Sequence, residues 1–226
     1  MIFFLVLLTF VVFITAEVLL ERRRKRAETR VRAPGKWDIL ETAMPPVVRS
    51  SAGLFYHSGH TWAFLDPSGE ASVGIDDFAQ GVIGKIDGIE LPPPGTRLRQ
   101  GEKAFTVLQK NKRIDFVSPL DAVVKSVNEA VSPDADLVKR FPYTRGWLLT
   151  VEPDNLIQNL KRLKIGREAL DWLGKETRRF VEFLSLHAAR PQEVGVTMHD
   201  GGLYIDGVIE NIDGELLQIL ERKFFR

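Results

Sequence analysis

The chain has 226 residues, 44% of them hydrophobic and 27% charged, with a formal net charge of +1. That length holds one ordinary domain with additions or two small ones, and the near-neutral balance argues against a nucleic-acid partner. No cysteine is present, which excludes disulfides, thiolate metal sites, iron–sulfur clusters and a cysteine nucleophile.

The first element is an apolar run. Residues Ile2 to Leu20 are interrupted only by Thr9, Thr15 and Glu17. As a helix this run spans roughly 28 Å, about one hydrocarbon core. No basic residue precedes it, as a cleaved signal would require. The basic residues follow it, as Arg22, Arg23, Arg24, Lys25 and Arg26. The pattern predicts an uncleaved single-pass anchor with the body on the cytoplasmic side and these five residues at the membrane surface. Residues 21–52 read as a basic juxtamembrane linker, broken at Ala33-Pro34-Gly35 and at Met44-Pro45-Pro46.

From Gly53 the pattern changes to short apolar segments between turn signals: Ser58-Gly59, Asp66 to Gly69, Asp87-Gly88 and Pro92 to Gly95. Such spacing predicts many short strands. A helix fits between Asp76 and Gly84, with Asp76 as its cap and Phe78 and Val82 on one face. Residues Phe105 to Val117 predict a hairpin. Phe105 and Val107 alternate on one arm and Ile114 and Phe116 on the other, with the polar run Gln109 to Arg113 between them.

Beyond Pro153 the period becomes helical. Leu156, Leu160 and Leu163 share a face, and Gly166 ends or bends that helix. Leu170, Leu173, Thr177, Val181 and Leu184 continue the stripe to about Ala189, before Pro191. Val194 to Thr197 and Leu203 to Ile205 predict a second hairpin, and Leu216, Leu220 and Phe224 a closing helix from about Asp213.

Five ordered motifs carry a resemblance. They are Tyr56 to Trp62, Ser72 to Gln80, Ile89 to Pro92, Phe116 to Pro119 continued by Val127 to Ala130, and Asp136 to Val138 with Pro142-Tyr143 and Gly146 to Leu148. Residues 53 to 157 thereby resemble the glycine cleavage system H protein, a member of the lipoyl/biotinyl-type domains. The resemblance implies a mostly β fold with helices. Residues 1–20 would be the transmembrane helix and 21–52 the linker. Residues 53–157 would form a lipoyl-type barrel-sandwich hybrid, and 158–226 a C-terminal helical and ββα extension.

In that family a lysine at a hairpin tip carries a lipoyl arm, which moves an aminomethyl group between partner enzymes. The family lysine lies eight residues before the proline of the Ser-Pro pair, and counting back from Pro119 gives Asn111. A side-chain amide cannot be acylated in this way. The expectation is therefore a membrane-anchored binding or scaffold module with no cofactor. In this reading the basic tip Lys110, Asn111, Lys112 and Arg113 meets an unknown protein partner. The alternative is a working carrier with lipoate on Lys110 or Lys112.

No catalytic or metal site is expected. His57 and His60 are three apart without further ligands, and no nucleophile triad, phosphate loop or paired carboxylates stand out. Trp62 and Trp147 read as core, and Trp172 as a packing contact of the added helix. The chain is read as carrier-like or binding, and not as an enzyme.

Overall fold

The computed structural model describes residues 53–187 and 207–226. The apolar run, the basic stretch Arg22 to Arg26 and the hairpin expected at 194–205 lie outside the described residues. Among the described residues no helix is long and apolar enough to cross a membrane.

A seven-stranded antiparallel sheet forms the larger layer. In chain order its strands are β1 (Leu54–Tyr56), β2 (Thr61–Leu65), β3 (Ala71–Ile75), β5 (Arg97–Leu98), β8 (Ala122–Val127), β9 (Leu149–Pro153) and β10 (Lys164–Ile165). Their spatial order is β10-β1-β2-β3-β9-β8-β5. A second sheet holds β4 (Gly88–Glu90), β6 (Lys103–Gln109) and β7 (Lys112–Val117), with β6 in the middle. The β6–β7 register pairs Phe105 with Phe116 and Val107 with Ile114. All four side chains are buried, which realises the alternation read from the sequence.

Helix α1 (Asp77–Ile83) opens where expected. Asp76 accepts the Ala79 N–H at 2.9 Å, so one orphan donor of the first turn is satisfied. The other oxygen of Asp76 lies 2.8 Å from Nδ1 of the fully buried His60. The His60 ring stacks between Phe78 and Trp172 at centroid distances of 4.2 and 4.9 Å. Both histidine and tryptophan thus serve packing, and no group of three or more metal-ligating side chains occurs among the described residues.

After α2 (Asp136–Arg140) the helical C-terminal half differs from its sequence pattern. Helix α3 (Leu156–Leu160) stops before Leu163, and the short β10 pairs with β1. Gly166 therefore starts a helix instead of ending one. At φ +57° it turns the chain from β10 directly into α4 (Gly166–His187), a conformation open to glycine. The buried stripe of α4 runs through Ala169, Leu173, Thr177, Phe180, Phe183 and Leu184, while Leu170 and Val181 lie at its margin. Two further helices close the fold, the single turn α5 (Val208–Asn211) and α6 (Gly214–Phe224), the latter capped by Asp213.

The two layers and the C-terminal helices share one apolar core. Phe224 packs on Phe180 and Phe183, and Phe225 reaches Phe116 at 4.9 Å and the edge of His60. The last helix is therefore part of the same core as the hairpin strand β7.

Candidate functional site at the hairpin turn

The β6–β7 ladder ends with the pair Gln109 and Lys112, so the turn consists of only Lys110 and Asn111. Lys110 adopts φ +51°, the left-handed region that tight two-residue hairpins demand of a turn residue. Both residues are exposed. Asn111, the position the family resemblance assigns to its lysine, is the second turn residue.

Neighbouring elements fix this turn from both sides. Asp87 accepts the backbone N–H of Lys110 at 2.7 Å and also pairs with the Lys85 ammonium at 3.1 Å. The Lys110 N–H is the main reason its carboxyl is held below the ordinary carboxylate range. At the base of the turn the Gln109 side-chain amide donates to the Ile83 carbonyl at the end of α1. The His60–Asp76 pair that anchors the start of α1 thereby supports the hairpin at one remove.

The four residues of the basic run have different fates. Arg113 grips Glu90 with both terminal nitrogens, one of the bonds measuring 2.7 Å. Lys112 is half-buried and its ammonium donates to the Ile209 carbonyl. Burial pulls its pKa down, opposed by the carboxylates of Glu210 and Asp213. The Lys110 ammonium lies 3.9 Å from Glu210 with 62% of its side chain exposed. Asn111 presents a neutral amide.

Sequence reading found the hairpin and its polar tip but missed Glu90, Asp87, Ile209 and Glu210 as its partners. Asp87-Gly88 signalled only a turn. Glu90 and Arg113 face each other across β4, β6 and β7, whose order no local pattern reveals. Glu210 is about a hundred residues downstream, and nothing in its own neighbourhood points to the hairpin.

A family profile described as Glycine cleavage H-protein matches residues 54–175. The glycine cleavage system H protein of Hydrogenovibrio crunogenus is 36% identical over 103 residues, covering 46% of this chain and 80% of that protein. Its counterpart in Methylococcus capsulatus is 37% identical over 105 residues, covering 46% and 82%. A crystal structure of the H protein from Mycobacterium marinum aligns over 56% of this chain and 98% of its own, with 24% identity and a TM-score of 0.47.

These matches correct one expectation, that the chain takes no cofactor: glycine cleavage H proteins carry lipoate. The expectation followed from Asn111 at the family position; of the two lysines that flank it, Lys110 lies in the turn itself with an exposed amine. Proteins of this family are carriers and not catalysts by themselves, as the sequence reading held. With a family profile matched over more than half its residues, and relatives above 30% identity covered over four-fifths of their own length, the chain belongs to the glycine cleavage H-protein family.

Proposed function

We propose that this chain is a membrane-tethered carrier of the glycine cleavage type whose lipoyl attachment residue is Lys110. The observation that carries this reading is the position of that amine. It sits on a two-residue hairpin turn, exposed, with its backbone pinned by Asp87. Attachment needs a primary amine on a protruding turn. Lys110 supplies one and Asn111 does not, so the arm moves one residue toward the N-terminus of the turn. When bound, lipoate would supply a disulfide whose S–S bond opens as one sulfur takes an aminomethyl group, with the electron pair of the decarboxylated substrate, and the other takes a proton, so that the attached arm is left as a dithiol once the group is passed on.

The chain's own residues position the amine and limit its surroundings. Asp87 and Gln109 hold the turn rigid at its base. Glu90 neutralises Arg113, so less positive charge accompanies the tip than the sequence suggests. The apolar run Ile2 to Leu20 and the basic residues Arg22 to Arg26 support a tether with the body on the cytoplasmic side. Its partners are then protein partners that meet the tip at a membrane.

The test is co-expression of the full chain with a lipoate-attaching enzyme and lipoate, followed by intact mass and peptide mapping. The Methylococcus capsulatus relative, treated in parallel, is the positive control. An adduct on Lys110, lost in Lys110→Arg, supports the proposal. An adduct on Lys112 or none at all overturns it, and none leaves a docking module without an arm. For the tether, carbonate-resistant membrane association and proteolysis of the body in inside-out vesicles are expected; release by carbonate refutes it.

A further inference from the structure

The family match ends at residue 175, yet the chain beyond it returns to the hairpin turn. The approach is tight. Gly207 donates its N–H to the Gly81 carbonyl at 2.7 Å. A Cβ on Gly84 would stand 2.5 Å from the Gly207 Cα, closer than real atoms come. Gly84 and Gly207 both have positive φ, +78° and +73°, so this seam admits glycine on both sides. From the seam α5 reaches the turn. Glu210 accepts the Lys85 backbone N–H at 3.1 Å with one oxygen and faces the Lys110 ammonium with the other. The Ile209 carbonyl takes the Lys112 ammonium. Helix α6 then holds this segment down: Glu221 accepts the Asp115 N–H at 3.1 Å on β7, and Arg179 of α4 donates to the Lys223 carbonyl.

We infer that α5 is a specificity-determining strap, which withholds Lys112 from acylation and leaves Lys110 as the amine the turn presents. The inference rests on the carrier reading of the turn, but concerns amine access, which can be read without the attaching enzyme. Two lysines flank Asn111, each one residue from the family position. An attaching enzyme that accepts a displaced lysine would meet both. The strap separates them. To react, Lys112 must leave the Ile209 carbonyl and free its half-buried stem, whereas Lys110 gives up only a long contact with Glu210. Charge state works in the opposite direction, since burial lowers the pKa of Lys112 and so raises its neutral, reactive fraction. Slow reaction at Lys112 would therefore report access and not protonation.

The experiment uses the full chain and limiting succinimidyl acetate, with peptide mapping of initial rates at Lys110, Lys112 and the exposed reference Lys175. Lys112 should lag Lys110 by about tenfold, the worth of one charge-assisted hydrogen bond. Two substitutions loosen the strap, Glu210→Ala and Gly207→Val, the second strained by the positive φ. In whichever of them keeps its circular dichroism and melting transition, Lys112 should gain at least a few-fold relative to Lys175. Equal rates at both lysines in the unaltered chain, or a Lys112 rate unmoved in the folded variants, overturns the inference. The enzymatic arm is separate. If the attaching enzyme ignores the chain while acetylation shows the predicted bias, the carrier reading fails and the strap stands.

Discussion

His57 ties stability to pH in a way that one substitution isolates. The residue is buried, and its Nδ1 accepts the Gly59 N–H at 3.0 Å. Protonation would place a second N–H against that donor. Desolvation, with the charges of Lys164, His60 and Arg162 adding to it, lowers its pKa from 6.5 to about 4. A depressed folded pKa means that the unfolded chain binds the proton first as pH falls. The contribution to stability is thus complete above pH 6.5 and drains away toward pH 4. Across the whole window it amounts to about 3 kcal/mol, of which about 2 kcal/mol is gone by pH 5. For a domain of this size that is about 4–8 °C in melting temperature.

The assay is thermal melting of the full chain in mild detergent at pH 7 and pH 5, followed by tryptophan fluorescence, beside His57→Asn. Asparagine keeps an acceptor near the Nδ1 position and removes the titration. Other groups contribute to the pH dependence: burial raises the Glu221 pKa, which favours the fold as pH falls. They are common to both proteins and cancel in the difference. The unaltered chain should lose about 2 kcal/mol more than the variant between the two pH values. Equal losses would refute the desolvated, neutral His57.

Three further outcomes follow from the packing. Lys110→Gly should relieve left-handed strain at φ +51° and raise stability by about 0.5 kcal/mol after the entropy cost of glycine; denaturant unfolding checks this, and lipoylation at residue 110 should vanish while the fold persists. Phe225→Ala removes a fully buried ring from between Phe116 and His60 and should cost about 3–5 kcal/mol in the same assay. Gly146→Ala would set a Cβ 2.7 Å from the Leu137 carbonyl and the Val138 Cα, backbone atoms that cannot rotate away, and should cost about 2–3 kcal/mol.

The parts legible in the sequence are those with a local physical signature. Phe105, Val107, Ile114 and Phe116 announce a hairpin because strand side chains alternate, and Asp76 announces a helix because its carboxylate caps one. The turn proved narrower than its polar run. Lys112 and Arg113 are strand residues, and nothing in a charged stretch says where hydrogen-bonded pairing stops. Gly166 reads as the end or bend of a helix because glycine commonly stands there, whereas the pairing of β10 with β1 just before it leaves it to start α4. Trp172 was correctly read as packing, but its partner His60 lies over a hundred residues away. For the same reason the pairing of α5 with the turn was illegible: Glu210 and Ile209 act through a carboxylate and a carbonyl that any surface turn offers.

The seating of Phe224 and Phe225 against α4 and β7 has a consequence for biosynthesis. A nascent chain that has emerged only through His187 already displays Phe180 and Phe183, yet lacks the rings that cover them. Strand β7 likewise waits for Phe225 to close over Phe116. At about 5–20 residues per second of synthesis, that interval lasts a few seconds. During it the incomplete body exposes aromatic surface, the state in which chaperone capture or aggregation competes with completion of the core.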